Sequence, residues 1–253
     1  MQDLCLVIPC FNEARRLDAR ALGAFSDTTG ASLCLVDGGS TDGTGRVLHE
    51  LAASRPMAIV VLDLQSNAGK AEAVRRGMLH ARGWKPFAWI GYWDADLAAP
   101  LAEAVAMYDT AHRHEDCRLV LGSRIRRLGA TIERRAWRHC TGRVFATAAS
   151  LTLRQPVYDT QCGAKLVRAD IVPALFGEPF VSRWLFDVEL LARLGRLEGE
   201  AAAGGTVEHP LAVWRHAGAS KLTLGAMLRA PFDLWRIARL YRSPRGAERE
   251  RAS

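Results

Sequence analysis

FAWIGYWDAD (87–96) sets seven apolar or small residues in a row ahead of two aspartates that flank one alanine. An apolar run of that length, closed by a polar turn, reads as a buried strand and is too short for a core helix. Three similar runs precede it: LCLVIPC (4–10), SLCLVD (32–37) and MAIVVLDL (57–64). Helical patterns over 15–25, 44–53 and 71–81 separate the four. Strands alternating with helices of this length predict an α/β fold with a mostly parallel central sheet and helices on both faces. Ligands of such sheets bind outside the carboxyl ends of the strands. The main polar clusters fall there: CFNE after the first run, DGGSTDGTG in the second and DAD in the fourth.

Working outward, RLVLGSR (118–124) predicts a further strand, 133–153 a helix, 166–167 a short strand and 185–194 a helix. An amphipathic helix is expected over 223–241, with Pro231 kinking or splitting it. The reading therefore divides the chain into a domain over 1–222 and a basic helix and tail over 223–253. Its 253 residues, 49% hydrophobic and 24% charged, suit a single core of this class. No apolar run approaches the roughly 20 residues that cross a bilayer. The opening MQDLCLVIPCFNE lacks the basic segment of a secretory signal, so a cytoplasmic protein is expected. Its six cysteines lack metal-site spacing and read as reduced, mostly buried thiols.

The net charge of +7 is unevenly placed. Residues 124–154 hold eight basic side chains against one acidic, and 215–253 hold nine against three. Nearly all of this excess is arginine, which suits phosphate on a ligand, a nucleic acid or a membrane.

Asp94 and Asp96, two apart in an extended segment, would face the same way and converge on one cation. Hard oxygen ligands suit Mg²⁺ or Mn²⁺ held against a diphosphate, although D-x-D also occurs as a solvated turn. Asp37 opens a glycine-rich turn whose amides suit a ligand; a plain turn capped by Ser40, Thr41 or Asp42 explains the same letters. Neither a G-x-G-x-x-G fingerprint nor a Walker lysine motif is present, which excludes the usual dinucleotide and P-loop readings.

VIPCFNE (7–13), LVDGGSTDGT (35–44), NAGKAEAVRRGM (67–78), YWDADLAAP (92–100) and GSR (122–124) together resemble the family 2 glycosyltransferases. DTQCGAKLVRAD (159–170), RWLFDVELLAR (183–193) and WRHAGASKL (214–222) are similar to the dolichyl-phosphate β-glucosyltransferase branch. The resemblance implies a GT-A fold and an inverting transfer of a hexose from a nucleotide sugar, UDP-glucose, to a polyprenyl or dolichyl phosphate. It further implies that Pro9, Asn12, Glu13 and Asp37 line the nucleoside and that Gly69 and Lys70 lie near the ribose or diphosphate. Asp94 and Asp96 hold the metal on this pattern, and Arg124 faces phosphate. Mannosyl relatives often carry a polar side chain where this sequence has Ala98, so only two protein ligands are expected. A soluble saccharide or protein hydroxyl is the alternative acceptor, with Asp187 as the base it needs; Asp187 also reads as a structural acid near Arg183. An inactive membrane adaptor is a third reading.

Arg134, Arg135, Arg138 and Arg143 lie among Trp137, Phe145 and Leu151, and the tail helix mixes Arg229, Arg236 and Arg239 with Phe232 and Trp235. Such helices suit the headgroup layer of an anionic membrane, so peripheral attachment to its cytosolic face is expected, with Arg134 and Arg135 near the acceptor phosphate. No nucleic-acid-binding motif accompanies the arginines.

Overall fold

The computed structural model of the chain describes residues 1–133, 156–198, 205–215 and 224–241. The first half forms β1 (Leu4–Cys10), α1 (Ala19–Thr29), β2 (Ser32–Asp37), α2 (Thr44–Ala53), β3 (Ile59–Asp63), α3 (Lys70–Trp84) and β4 (Trp89–Trp93). It continues as α4 (Ala102–Arg113), β5 (Leu119–Ser123), β6 (Thr131–Ile132), β7 (Ala164–Arg168) and α5 (Val172–Phe176). α6 (Phe186–Glu198), β8 (Thr206–Pro210), β9 (Val213–Trp214) and α7 (Leu224–Tyr241) complete the described elements.

Seven strands form the main sheet in the order β3-β2-β1-β4-β7-β5-β8, while β6 and β9 pair separately. All neighbours in the main sheet are parallel except β7, which runs antiparallel between β4 and β5. Alternation along the strands divides the core. Leu4, Leu6 and Ile8 of β1 meet α1, α2 and α4 through Leu22, Phe25, Leu48, Leu51 and Met107. Cys5 and Val7 face the other way, onto Val74 and Met78 of α3, Phe176 of α5 and Leu190 and Leu194 of α6. Burial on both faces is why β1 and β2 are apolar without interruption, as parallel strands require.

From β1 the chain moves outward to β3, then returns to β4 on the far side of β1. That reversal opens a crevice beyond the carboxyl ends of β1 and β4, where ligands of doubly wound sheets bind.

Several sequence expectations shift. α1 begins at Ala19, because Arg16 and Leu17 bond back to the Glu13 carbonyl and Asp18 then caps the helix through Ala21 N at 2.9 Å. Pro231 lies inside α7 without splitting it. Leu234, Ile237 and Tyr241, packed with Leu185, Val188 and Ala192, secure the helix beyond the proline. α7 thus packs against α6. The helix expected over 133–153 lies almost wholly outside the described residues. The five cysteines within them are buried free thiols.

Gly77 lets α3 approach the sheet: a Cβ there would overlap Val7 Cγ1 and lie 2.7 Å from Val36 Cγ2. Gly83 on the same helix has open space around it. Gly77→Ala is therefore expected to lower stability by about 1–3 kcal/mol through overpacking. Gly83→Ala should raise it by up to about 1 kcal/mol through helix propensity. Urea unfolding of the two variants checks both signs.

Candidate functional site

Two loops at the crevice are tied together before any ligand is considered. Asn12 takes φ 53°, and its Oδ1 accepts from Thr41 N at 2.9 Å while its own N donates to Ser40 Oγ at 3.0 Å. Glu13 N donates to Thr44 Oγ1 at 2.8 Å, and Ala14 N to Asp42 Oδ2 at 3.1 Å. Ser40, Thr41, Asp42 and Thr44 are accordingly engaged in joining the β1 loop to the β2 loop. Asp37 is 7% exposed, and its Oδ1 accepts from Ser40 N at 2.9 Å. A Cβ on Gly45 would lie 2.5 Å from its other oxygen, so only glycine lets α2 begin there. Pro9 is half-buried in β1 beside Val36, and the Glu13 carboxylate is buried against Arg16 at 2.6 Å.

Asp94 and Asp96 follow β4 in a turn rather than in extended chain, as the bond from Leu97 N to Asp94 O at 3.1 Å and Leu97's φ of 49° require. The turn still brings the two carboxylates together. Burial, and next the charge of Asp94, push the Asp96 carboxyl above its ordinary range. Asp94 Oδ1 pairs with the ammonium of Lys70, the first residue of α3. Burial works against that ammonium, but Asp94, Asp187 and Asp96 outweigh it and hold its pKa up. Gly69 supplies the φ of 94° that starts the helix, whose positive end therefore meets the crevice. Antiparallel β7 brings Gly163 alongside: Asp94 N donates to Gly163 O at 3.0 Å. A Cβ on Gly163 would overlap the Asp94 carboxylate.

Beneath this turn lies Lys165, fully buried. Its Nζ donates to Thr160 O at 3.0 Å, Cys162 O at 2.7 Å and Asp187 Oδ1 at 2.6 Å. Tyr92 Oη donates to the same Asp187 oxygen, and burial and then Asp187 keep that hydroxyl protonated. Asp187, in the first turn of α6, is 4% exposed. Its partners are thus Lys165 and Tyr92 rather than Arg183. Arg124 clamps Asp159 through Nε at 2.6 Å and Nη2 at 2.8 Å, under the ring of Trp214, and among the described residues Nη1 has no hydrogen-bond partner. Around the same turn, Ser123 Oγ, Thr160 Oγ1 and Gln161 Nε2 are buried with no hydrogen-bond partner among the described residues. Arg134 and Arg135 lie outside the described residues.

Two groups were not assigned from the sequence. Lys165 sits in an otherwise ordinary strand, and only its complete burial identifies it. Arg183 is exposed, forms no ion pair with the described residues, and brings its Cδ to 3.7 Å from where a Gly69 Cβ would stand. A divalent cation fits the carboxylate pair: two hard oxygen donors repel each other in a half-buried turn, and a cation relieves that repulsion. Among the described residues no group of three or more His, Cys, Asp or Glu side chains is placed to hold a metal ion.

The sequence model of Glycosyl transferase family 2 matches residues 5–176. A dolichyl-phosphate beta-glucosyltransferase of Trichomonas vaginalis is 30% identical over 94% of this chain and 71% of its own length. A dodecaprenyl-phosphate galacturonate synthase of Rhizobium johnstonii is 27% identical over 92% of this chain and 65% of its own. Glucosyl-3-phosphoglycerate synthase of Mycobacterium tuberculosis, solved with Mn²⁺, UDP and glucosyl-3-phosphoglycerate, superposes with a TM-score of 0.69. That match covers 93% of this chain and 79% of the other at 18% identity, and it establishes a shared GT-A fold.

Because Gly163 supports the Asp94 carboxylate, Gly163→Ala is expected to weaken Mn²⁺ binding about tenfold or more, measured by electron paramagnetic resonance of the free ion. Unchanged binding would mean that Asp94 is not a ligand.

Proposed function

This chain is a member of glycosyl transferase family 2, a nucleotide-sugar-dependent glycosyltransferase, and we propose that it moves glucose from UDP-glucose to a polyprenyl phosphate. Transfer to a lipid phosphate accords with the names of its relatives, among them dolichyl-phosphate and dodecaprenyl-phosphate enzymes. In the reaction a phosphate oxygen of the lipid bonds to the anomeric carbon with inversion. The bond from that carbon to the β-phosphate oxygen breaks, and its electron pair leaves with the nucleoside diphosphate.

Each part of the crevice has a task on this reading. Pro9, Asn12, Glu13 and Asp37 form the nucleoside side, with Asn12 and Glu13 shaping the loop and Asp37 accepting from the base. Gly69 lets the positive end of α3 approach the diphosphate. Mg²⁺ or Mn²⁺ held by Asp94 and Asp96 would neutralise charge on the leaving group. Lys70, now on Asp94, is within reach of the same phosphates. Arg124 Nη1 and the exposed Arg183 supply positive charge for the acceptor phosphate, together with Arg134 and Arg135.

The commitment of Asp187 carries the choice of acceptor. A hydroxyl acceptor needs a base with an accessible oxygen within hydrogen-bond reach. Here Lys165 and Tyr92 occupy Oδ1, and the residue is almost wholly buried. A phosphate monoester, with its second pKa at about 6, is already a nucleophilic anion at neutral pH and needs no base. Such an acceptor lies in a membrane, and no described helix is long and apolar enough to cross one. Peripheral attachment at the cytosolic face agrees with the buried free thiols and the basic segments.

Incubation with labelled UDP-glucose and polyprenyl phosphate, followed by solvent extraction, tests the reading. Metal-dependent label in the organic phase is expected, and Lys70→Ala should lower kcat/KM by about 10²–10³. Label that enters only soluble saccharide or protein would overturn the lipid acceptor.

A further inference from the structure

α7 has two faces of different character. Leu234, Ile237 and Tyr241 turn inward onto Val188 and Ala192 of α6. The opposite face carries Phe232, Trp235 and Leu240, which are 58%, 53% and 51% exposed. Phe232 and Trp235 stack at 5.9 Å, with Arg236 over the first ring at 5.9 Å and Arg239 over the second at 5.5 Å. Arg229 is exposed one turn earlier. The helix has one acid, Asp233, and it is drawn away from this face: its Oδ2 accepts from Ser182 Oγ at 2.6 Å.

We infer that this outer face of α7 lies in the headgroup layer of an anionic bilayer, with Phe232, Trp235 and Leu240 inserted and Arg229, Arg236 and Arg239 on the lipid phosphates. The inference rests on the lipid-phosphate reading above and says where the enzyme meets its acceptor. Aromatic and leucine side chains interleaved with arginine fit the boundary between acyl chains and headgroups. Three cations without a free acid among the helix's own residues match a negatively charged surface. A second copy of the chain is a poor occupant. Three half-exposed side chains offer on the order of 300 Å², against about 800 Å² per partner in a stable interface. A two-fold contact would also set these arginines against each other.

The position of the face gives it a purpose. Ser182 Oγ, held by Asp233, also accepts from Trp184 N and Leu185 N at 3.3 and 3.0 Å, fixing the entry to α6. Arg183 belongs to that turn and reaches Gly69 at the crevice. One short segment therefore joins the bilayer face to the rim of the site, so a docked enzyme presents Arg183 near headgroup depth.

Flotation of the full chain with vesicles of phosphatidylcholine alone, or mixed with phosphatidylglycerol, tests the inference. Binding is expected to be stronger by about tenfold or more on the anionic vesicles and to weaken with salt. Combined Phe232→Ala, Trp235→Ala and Leu240→Ala should remove most of it. That variant should keep its turnover on a short, water-soluble isoprenyl phosphate while losing turnover on a vesicle-embedded one. Absence of vesicle binding, equal binding by the variant, or an equal loss on both acceptors would each overturn the inference. So would sedimentation as a dimer that the triple variant dissociates. Normal vesicle binding with no lipid phosphate accepting glucose supports the docking face and removes the acceptor assignment, so the two failures are distinguishable.

Discussion

A fully buried lysine ammonium organises the centre of this protein. Stripping a cation of water costs several kcal/mol, and the cost is recovered only when every proton finds a good acceptor. Lys165 meets that condition with two carbonyls of the 160–162 turn and one carboxylate oxygen of Asp187. The three bonds join β7, the turn leading into it and the start of α6. Gly163, next in that turn, receives the amide of Asp94 and lies under its carboxylate. The position of the first candidate metal ligand thus depends on a charge that never meets solvent. Removing one member of such a pair leaves the other uncompensated, which typically costs about 3–5 kcal/mol.

The other charges of the site differ in how firmly they are bound. Arg124 and Asp159 form a two-pronged pair at 13% and 7% side-chain exposure, a fixed wall of the crevice. Lys70 and Asp94 are paired at 41% and 38% exposure, where solvent weakens the attraction and rearrangement is cheap. This gradient from rigid to exchangeable suits a site that receives a diphosphate. The carboxylates and Lys70 can adapt to the incoming charge, while Lys165 and Arg124 keep the frame still.

Much of the fold could be read from local pattern. β1 and β2 are buried on both faces, and α2 has the boundaries its sequence indicates. α4 escaped notice because its buried face is interrupted by Glu103 and Thr110. Those two are satisfied from afar, by Ala212 N and Val213 N and by His209. β8 reads TVEHP, half polar, since it lies at the edge of the sheet. The antiparallel sense of β7 is set by tertiary pairing and leaves no local mark. Asp94 and Asp96 were visible as a motif, although their convergence comes from a turn rather than strand alternation. The Tyr92–Asp187–Lys165 cluster was not, because its bonds span 95 and 22 residues of chain.

The chemistry proposed for the crevice depends on the two carboxylates at the end of β4 holding a cation that grips the donor's diphosphate. Calorimetric titration of UDP into the full chain with Mn²⁺, into the same protein in EDTA, and into Asp94→Asn addresses that directly. UDP should bind about tenfold or more tightly with Mn²⁺ than in EDTA, and Asp94→Asn should lose that increment while remaining folded. Equal affinity with and without the metal, or a full increment in Asp94→Asn, would contradict a cation held by Asp94 and Asp96 on the diphosphate.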